Sequence, residues 1–149
     1  MHTLSGILKG DERLLVRAAR AGAVYAILVF GVGFVLGTIR ILVLVPRMTP
    51  ASAVLLETPI ILGVSWWLCG QCVARFAISR ARRARLTMGL VAFMVLMLEE
   101  LTLSVVLFGK SVDGYLASLT TLAGTMGLAA QLGFATFPLL QASRKRSRR

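Results

Sequence analysis

The sequence predicts an all-α membrane protein: a bundle of four transmembrane helices with both termini on the cytoplasmic side. Three observations carry this. Apolar residues make up 57% of the 149 positions, with a mean hydropathy of +0.82, above the roughly 45–50% of a water-soluble domain. They are gathered into four blocks, each long enough for the ~20 residues a helix needs to cross a bilayer. The basic residues fall between the blocks, almost all on alternate connections.

The first element, residues 1–20, is read as an amphipathic lead-in. Leu4, Ile7, Leu8, Leu14 and Leu15 suit the headgroup boundary, and Lys9, Arg13, Arg17 and Arg20 suit anionic lipid. It lacks the basic, apolar and small-residue order of a removable signal peptide. The membrane domain occupies residues 21–140, with spans at Ala21–Val45, Ala51–Val73, Leu86–Phe108 and Leu119–Leu140. Pro46 and Pro50 bracket a tight turn that makes the first two spans a hairpin. Gly109–Ser118 (GKSVDGYLAS) is the second short outer loop, and residues 141–149 form a basic tail.

Orientation follows from the charges. Four Lys or Arg lie in the lead-in, five in the middle loop (Arg75, Arg80, Arg82, Arg83, Arg85) and five in the tail (Arg144, Lys145, Arg146, Arg148, Arg149), fourteen of seventeen. Cytoplasmic loops carry such an excess, so the predicted location is a bacterial inner membrane, N-in and C-in, with two short periplasmic loops. The net charge of +11 is accounted for in the same way. No nucleic-acid partner is predicted, because the basic residues flank apolar runs and do not form one phosphate-binding stripe.

Charge inside a span is costly, by about 2.5–3.5 kcal/mol per residue on insertion scales, and such residues face the bundle interior and pair. Arg40 lies six residues before Pro46 and Glu57 six after Ala51, so a rise of 1.5 Å per residue puts both at one depth. Glu99 and Glu100 lie slightly deeper, within reach of an arginine. Arg40 is expected to pair with Glu57, and one of Glu99 or Glu100 to join them. The other is expected to face a neighbouring subunit or to be protonated, because adjacent helical residues diverge by about 100°. Pro59 leaves a backbone carbonyl without its donor near Glu57.

Gly33, Gly37 and Arg40 share one helical face, and Ala123, Gly127 and Gln131 another; both are candidate packing faces. Cys69 and Cys72 have the spacing of a thiol redox pair. A reducing cytoplasmic side disfavours a lasting disulfide there, and small apolar packing is the simpler role. No metal-ligand spacing, phosphate loop or nucleophile motif is present, so no catalytic residue, cofactor or metal is predicted.

The G-x-x-x-G-x-x-R run of the first span is similar to the first-helix pattern of small four-helix fluoride channels, a likeness confined to that helix. Across the whole chain, GTIRILVLVPR followed by ETPIILGVSWW and a basic loop resembles a group of small four-helix bacterial inner-membrane proteins of uncharacterised activity. That resemblance implies the topology and no reaction. Three functions remain open: a non-catalytic membrane subunit or homo-oligomer assembled through the polar cluster; a proton- or ion-coupled transporter or channel using Glu57 and Glu99 or Glu100 with Arg40; and a thiol oxidoreductase using Cys69 and Cys72.

Overall fold

The computed structural model describes residues 2–144, with side chains from 10 to 143; the remaining tail, and the side chains of Leu4, Ile7, Leu8 and Lys9, lie outside the described residues. Every regular element is helical: α1 (His2–Ile39), a π-helical turn (Arg40–Leu44), α2 (Pro50–Arg75), α3 (Arg82–Val106), α4 (Val112–Leu119) and α5 (Leu122–Arg144). No strand occurs among the described residues. Four helices, α1, α2, α3 and α5, are long and apolar enough to cross a membrane.

Local chemistry sets the ends. Thr49 caps α2, its hydroxyl accepting from the Ser52 N–H at 3.2 Å, and Pro50 occupies the first turn, where its missing N–H costs nothing. At the other end of α2, Ala77 takes a left-handed conformation (φ 46°), and the Ile78 N–H returns to the Val73 carbonyl at 3.0 Å. This closes the helix in the manner usually served by glycine. Ser111 caps α4 by accepting from the Gly114 N–H. Thr121 does the same for α5 through Gly124.

These ends depart from the apolar windows in three places. The lead-in is helical from His2 and runs into the first span without a break. The third helix starts at Arg82, so three of the loop arginines ride its first turn; arginine is a good helix former, and an apolar window marks hydrocarbon, not helix length. The stretch GKSVDGYLAS is not wholly turn, because Ser111 nucleates α4, and α5 then begins at Leu122 after the Thr120-Thr121 break.

Around the bundle α1 packs on α3, α3 on α5, α5 on α2 and α2 on α1, so the consecutive helices α2 and α3 sit on a diagonal. The α1–α3 seam is built mostly from small residues: Ala18, Ala21, Gly22 and Ala26 on α1 face Ala84, Met88 and Ala92 on α3, all buried. A side chain at Gly22 would strike the Met88 carbonyl, and one at Gly89 the Ala135 carbonyl of α5. Backbones this close gain contact that leucine-sized side chains would prevent.

The other diagonal, α1 to α5, is crossed by the side chain of Tyr25. Pro138 has no N–H to give the Phe134 carbonyl one turn back. The buried Tyr25 hydroxyl donates to that carbonyl at 3.4 Å, while its ring stacks on Phe134 at 4.4 Å. Leu42, Leu55, Leu90, Leu98, Val106 and Leu122 all point outwards, each more than half exposed. So continuous an apolar exterior would aggregate in water and suits lipid; the chain has the make-up of a small multi-pass membrane protein.

Candidate functional site: a charged cavity between the helices

Arg40 stands where α1 changes to its π-helical turn. The Val45 N–H reaches back five residues to the Arg40 carbonyl at 2.9 Å, and such wide turns recur where a helix must redirect a side chain. A Cβ on Gly37 would lie 3.6 Å from Arg40 Nη2. That is an ordinary van der Waals contact, so the guanidinium lies back along its own helix over Gly37.

Across the hairpin, Arg40 Nη1 lies 3.4 Å from Glu57 Oε2 on α2, with side-chain exposures of 31% and 13%. Glu100 on α3 accepts a 2.6 Å hydrogen bond from Gln131 Nε2 on α5 and is within electrostatic reach of Arg40. One polar contact thus joins the end of α1 to α2, and another joins α3 to α5.

These groups do not close on one another. They line a cavity of about 440 Å³, within the ~300–1,000 Å³ of small-molecule sites. Gly33, Gly37 and Gly127 lie on its wall. Nothing lies within 4 Å of where a Cβ on Gly127 would be, and Gly33 would meet only the tip of Ile61 at 3.9 Å. The G-x-x-x-G face of α1 opens space here, while Gly22, Gly89 and Gly124 are the positions of close backbone approach. Ala123 is half-buried at the start of α5.

Three further polar groups border the cavity. Ser104 stands one turn beyond Glu100 on α3, Lys110 comes from the loop after α3, and Tyr115 comes from α4. Burial, and then the nearby Glu100 carboxylate, push the Tyr115 phenol above its usual range. Its hydroxyl therefore stays protonated at neutral pH. Ser104 was open to detection from its i+4 spacing to Glu100. Lys110 and Tyr115 were hidden because nothing in the loop sequence says which way it folds.

Glu99 does not line the cavity. One of its oxygens, Oε2, is buried without a hydrogen-bond partner. Cys69 and Cys72 are free thiols in the core, at 0% and 4% exposure, in the same cluster as Tyr25. No group of three His, Cys, Asp or Glu side chains comes together among the described residues.

Chemically, the cavity offers two carboxylates and two cations around a space that water or a small ion fits. The carboxylates can take and release protons, and Arg40 sits where it interacts with both. No family model, curated protein or solved structure matches the chain.

Proposed function

We propose that the protein is a proton- or ion-coupled carrier or channel of a bacterial inner membrane, with both termini cytoplasmic and the charged cavity in the outer half of the bilayer. One observation carries this reading. An ion pair kept only to fix helix register would be packed on all sides, since an open space beside it forfeits contacts, whereas Arg40, Glu57 and Glu100 border about 440 Å³. Glu57 and Glu100 are the titrating groups, and Arg40 keeps them from repelling each other. Lys110 and Tyr115 guard the outer mouth.

The test is flux. Purified protein in liposomes carrying a pH-sensitive dye should pass protons or the coupled ion well above empty vesicles, and Glu100→Gln and Glu57→Gln should each cut that rate by tenfold or more. Flux equal to empty vesicles under every ion gradient sinks the reading.

A second reading, assembly as a homo-oligomer or as a subunit of a larger membrane complex, is favoured by Glu99. A carboxylate turned away from the cavity at membrane depth needs a polar neighbour, and a second copy would supply one. Crosslinking in native membranes separates the two readings: Glu99→Leu should abolish a crosslinked dimer and leave flux intact if both hold. The redox reading gains nothing from thiols sealed in the core, because thiol exchange needs access. Anionic lipid at the basic end is the remaining expected partner.

A further inference from the structure

At the opposite end of the bundle from the charged cavity, the buried guanidinium of Arg85 spends its hydrogen bonds on backbone alone. Nε donates to the Ser79 carbonyl at 3.0 Å, Nη2 to Ile78 at 3.2 Å and Nη1 to Pro138 at 3.5 Å. The residue is 4% exposed. An arginine carries five N–H donors, so further ones remain. The ion pair recorded among the described residues is Arg40–Glu57; none involves Arg85. A buried charge without a counter-ion is costly, and carbonyl dipoles offset only part of that cost.

Two features beside Arg85 point to what completes it. Arg80 lies within electrostatic reach of Arg85, so two like charges converge. Both border a second cleft, of about 620 Å³, shared with Gln71, Gln141, Trp66 and Trp67. Arg80 and Gln71 are exposed at its edge, and Trp67 is 61% exposed beside them. Two guanidiniums and the exposed Gln71 amide, beside an indole facing the apolar exterior, match a phosphodiester with acyl chains attached; Gln141 Nε2 already donates to the Trp66 carbonyl at 2.7 Å. Arginine pairs well with phosphate oxygens, and basic pockets between transmembrane helices hold anionic headgroups; Trp67, six residues before Val73, lies about 9 Å inside the span, at the depth of the acyl chains.

We propose that this cleft is a specific site for the phosphate of an anionic phospholipid, whose headgroup neutralises Arg80 and Arg85 and whose chains lie along α2. It is independent of the cavity at the other end, and either can fail alone. The site goes beyond general attraction of a basic surface to lipid, because it assigns the phosphate to one cleft and two arginines.

The chain has two tryptophans, and both line this cleft, so intrinsic fluorescence reports on it. Protein reconstituted in phosphatidylcholine vesicles is titrated with chain-brominated phosphatidylglycerol or chain-brominated phosphatidylcholine, and quenching is compared. The brominated anionic lipid should quench at a lower mole fraction than the neutral one, and Arg80→Gln should reduce that preference about five-fold. Arg80 is exposed, so its substitution does not threaten the fold, and Arg47→Gln in the opposite loop should leave the preference unchanged. Equal quenching by the two lipids, or a preference indifferent to Arg80→Gln, overturns the proposal. A change of tryptophan emission on adding inorganic phosphate, with no difference in quenching between the two brominated lipids, overturns the lipid assignment and gives the site to the free anion.

Discussion

Tyr25 is the side chain on which the α1–α5 diagonal depends, because its hydroxyl serves the carbonyl that Pro138 leaves unserved. A buried acceptor deprived of its donor costs about 1–3 kcal/mol. Tyr25→Phe should therefore lower stability by an amount near the lower end of that range, given the 3.4 Å separation. Pro138→Ala in the same chain should recover most of it, because an alanine there supplies the N–H that proline lacks. Reversible unfolding in mixed micelles measures both, and purely additive losses would show that the two sites are not coupled. Tyr115 makes a second prediction at this scale. In the Tyr25→Phe protein it is the one tyrosine left of two, so an ultraviolet titration should find its midpoint above the ordinary value of about 10, and Glu100→Gln should bring it partway down. The folded state holds that proton more tightly than the unfolded one, so stability from this group is intact below about pH 10 and falls as pH rises beyond it. At this scale much was legible beforehand: rise per residue alone set Arg40 and Glu57 at one depth, and the structure brings them within 3.4 Å. What depth could not supply was direction. Lys110 and Tyr115 border the cavity because the loop after α3 and α4 turn inwards, which depends on tertiary packing.

Glycines show why the elements were only partly readable. The spacing at Gly33 and Gly37 looks like a close-packing motif, yet these glycines line the cavity and a Cβ on either would meet only a side-chain tip, Ile61 at 3.9 Å or Arg40 Nη2 at 3.6 Å, while Gly22, Gly89 and Gly124 are where backbones meet. Sequence spacing defines a helical face but not what stands opposite it. The two classes should behave oppositely on substitution. Gly22→Ala or Gly89→Ala drives a methyl into a neighbouring backbone carbonyl, and overpacking of this kind costs about 1–3 kcal/mol or more. Gly127→Ala should be neutral or slightly stabilising, since glycine is a poor helix residue and nothing lies within 4 Å. Gly127→Leu should then fill the cavity and suppress flux without a loss of thermal stability in detergent. If it leaves flux unchanged, the cavity is not the pathway. The helix ends carry the same lesson: Arg82 and Ser111 start helices outside the hydrophobic windows because capping and propensity, not hydropathy, decide where a helix begins.

For the molecule as a whole, the basic connections gather at one end of the bundle. Arg17 on α1 donates to the Phe76 carbonyl after α2 at 2.8 Å, and Arg85 reaches the Pro138 carbonyl of α5. The lead-in, the α2–α3 loop and the end of α5 are therefore one surface, opposite to the Pro46–Pro50 turn and Lys110. Charge on a loop decides which side it stays on during insertion, so the shared surface should be cytoplasmic. That expectation can be read without knowing the activity. In a chain freed of Cys69 and Cys72 by alanine substitution, Thr49→Cys in the short turn should react with a membrane-impermeant maleimide added to intact cells, and Ala81→Cys in the basic loop should react only after the membrane is opened. The reverse pattern would put the charged cavity against the cytoplasm and the Arg85 cleft outside. Labelling of both positions in intact cells would mean that the chain inserts in two orientations. A mixed result would itself be informative, because an inverted pair could bring Glu99 of one copy against a neighbour of opposite direction and give assembly a geometry that a single orientation does not.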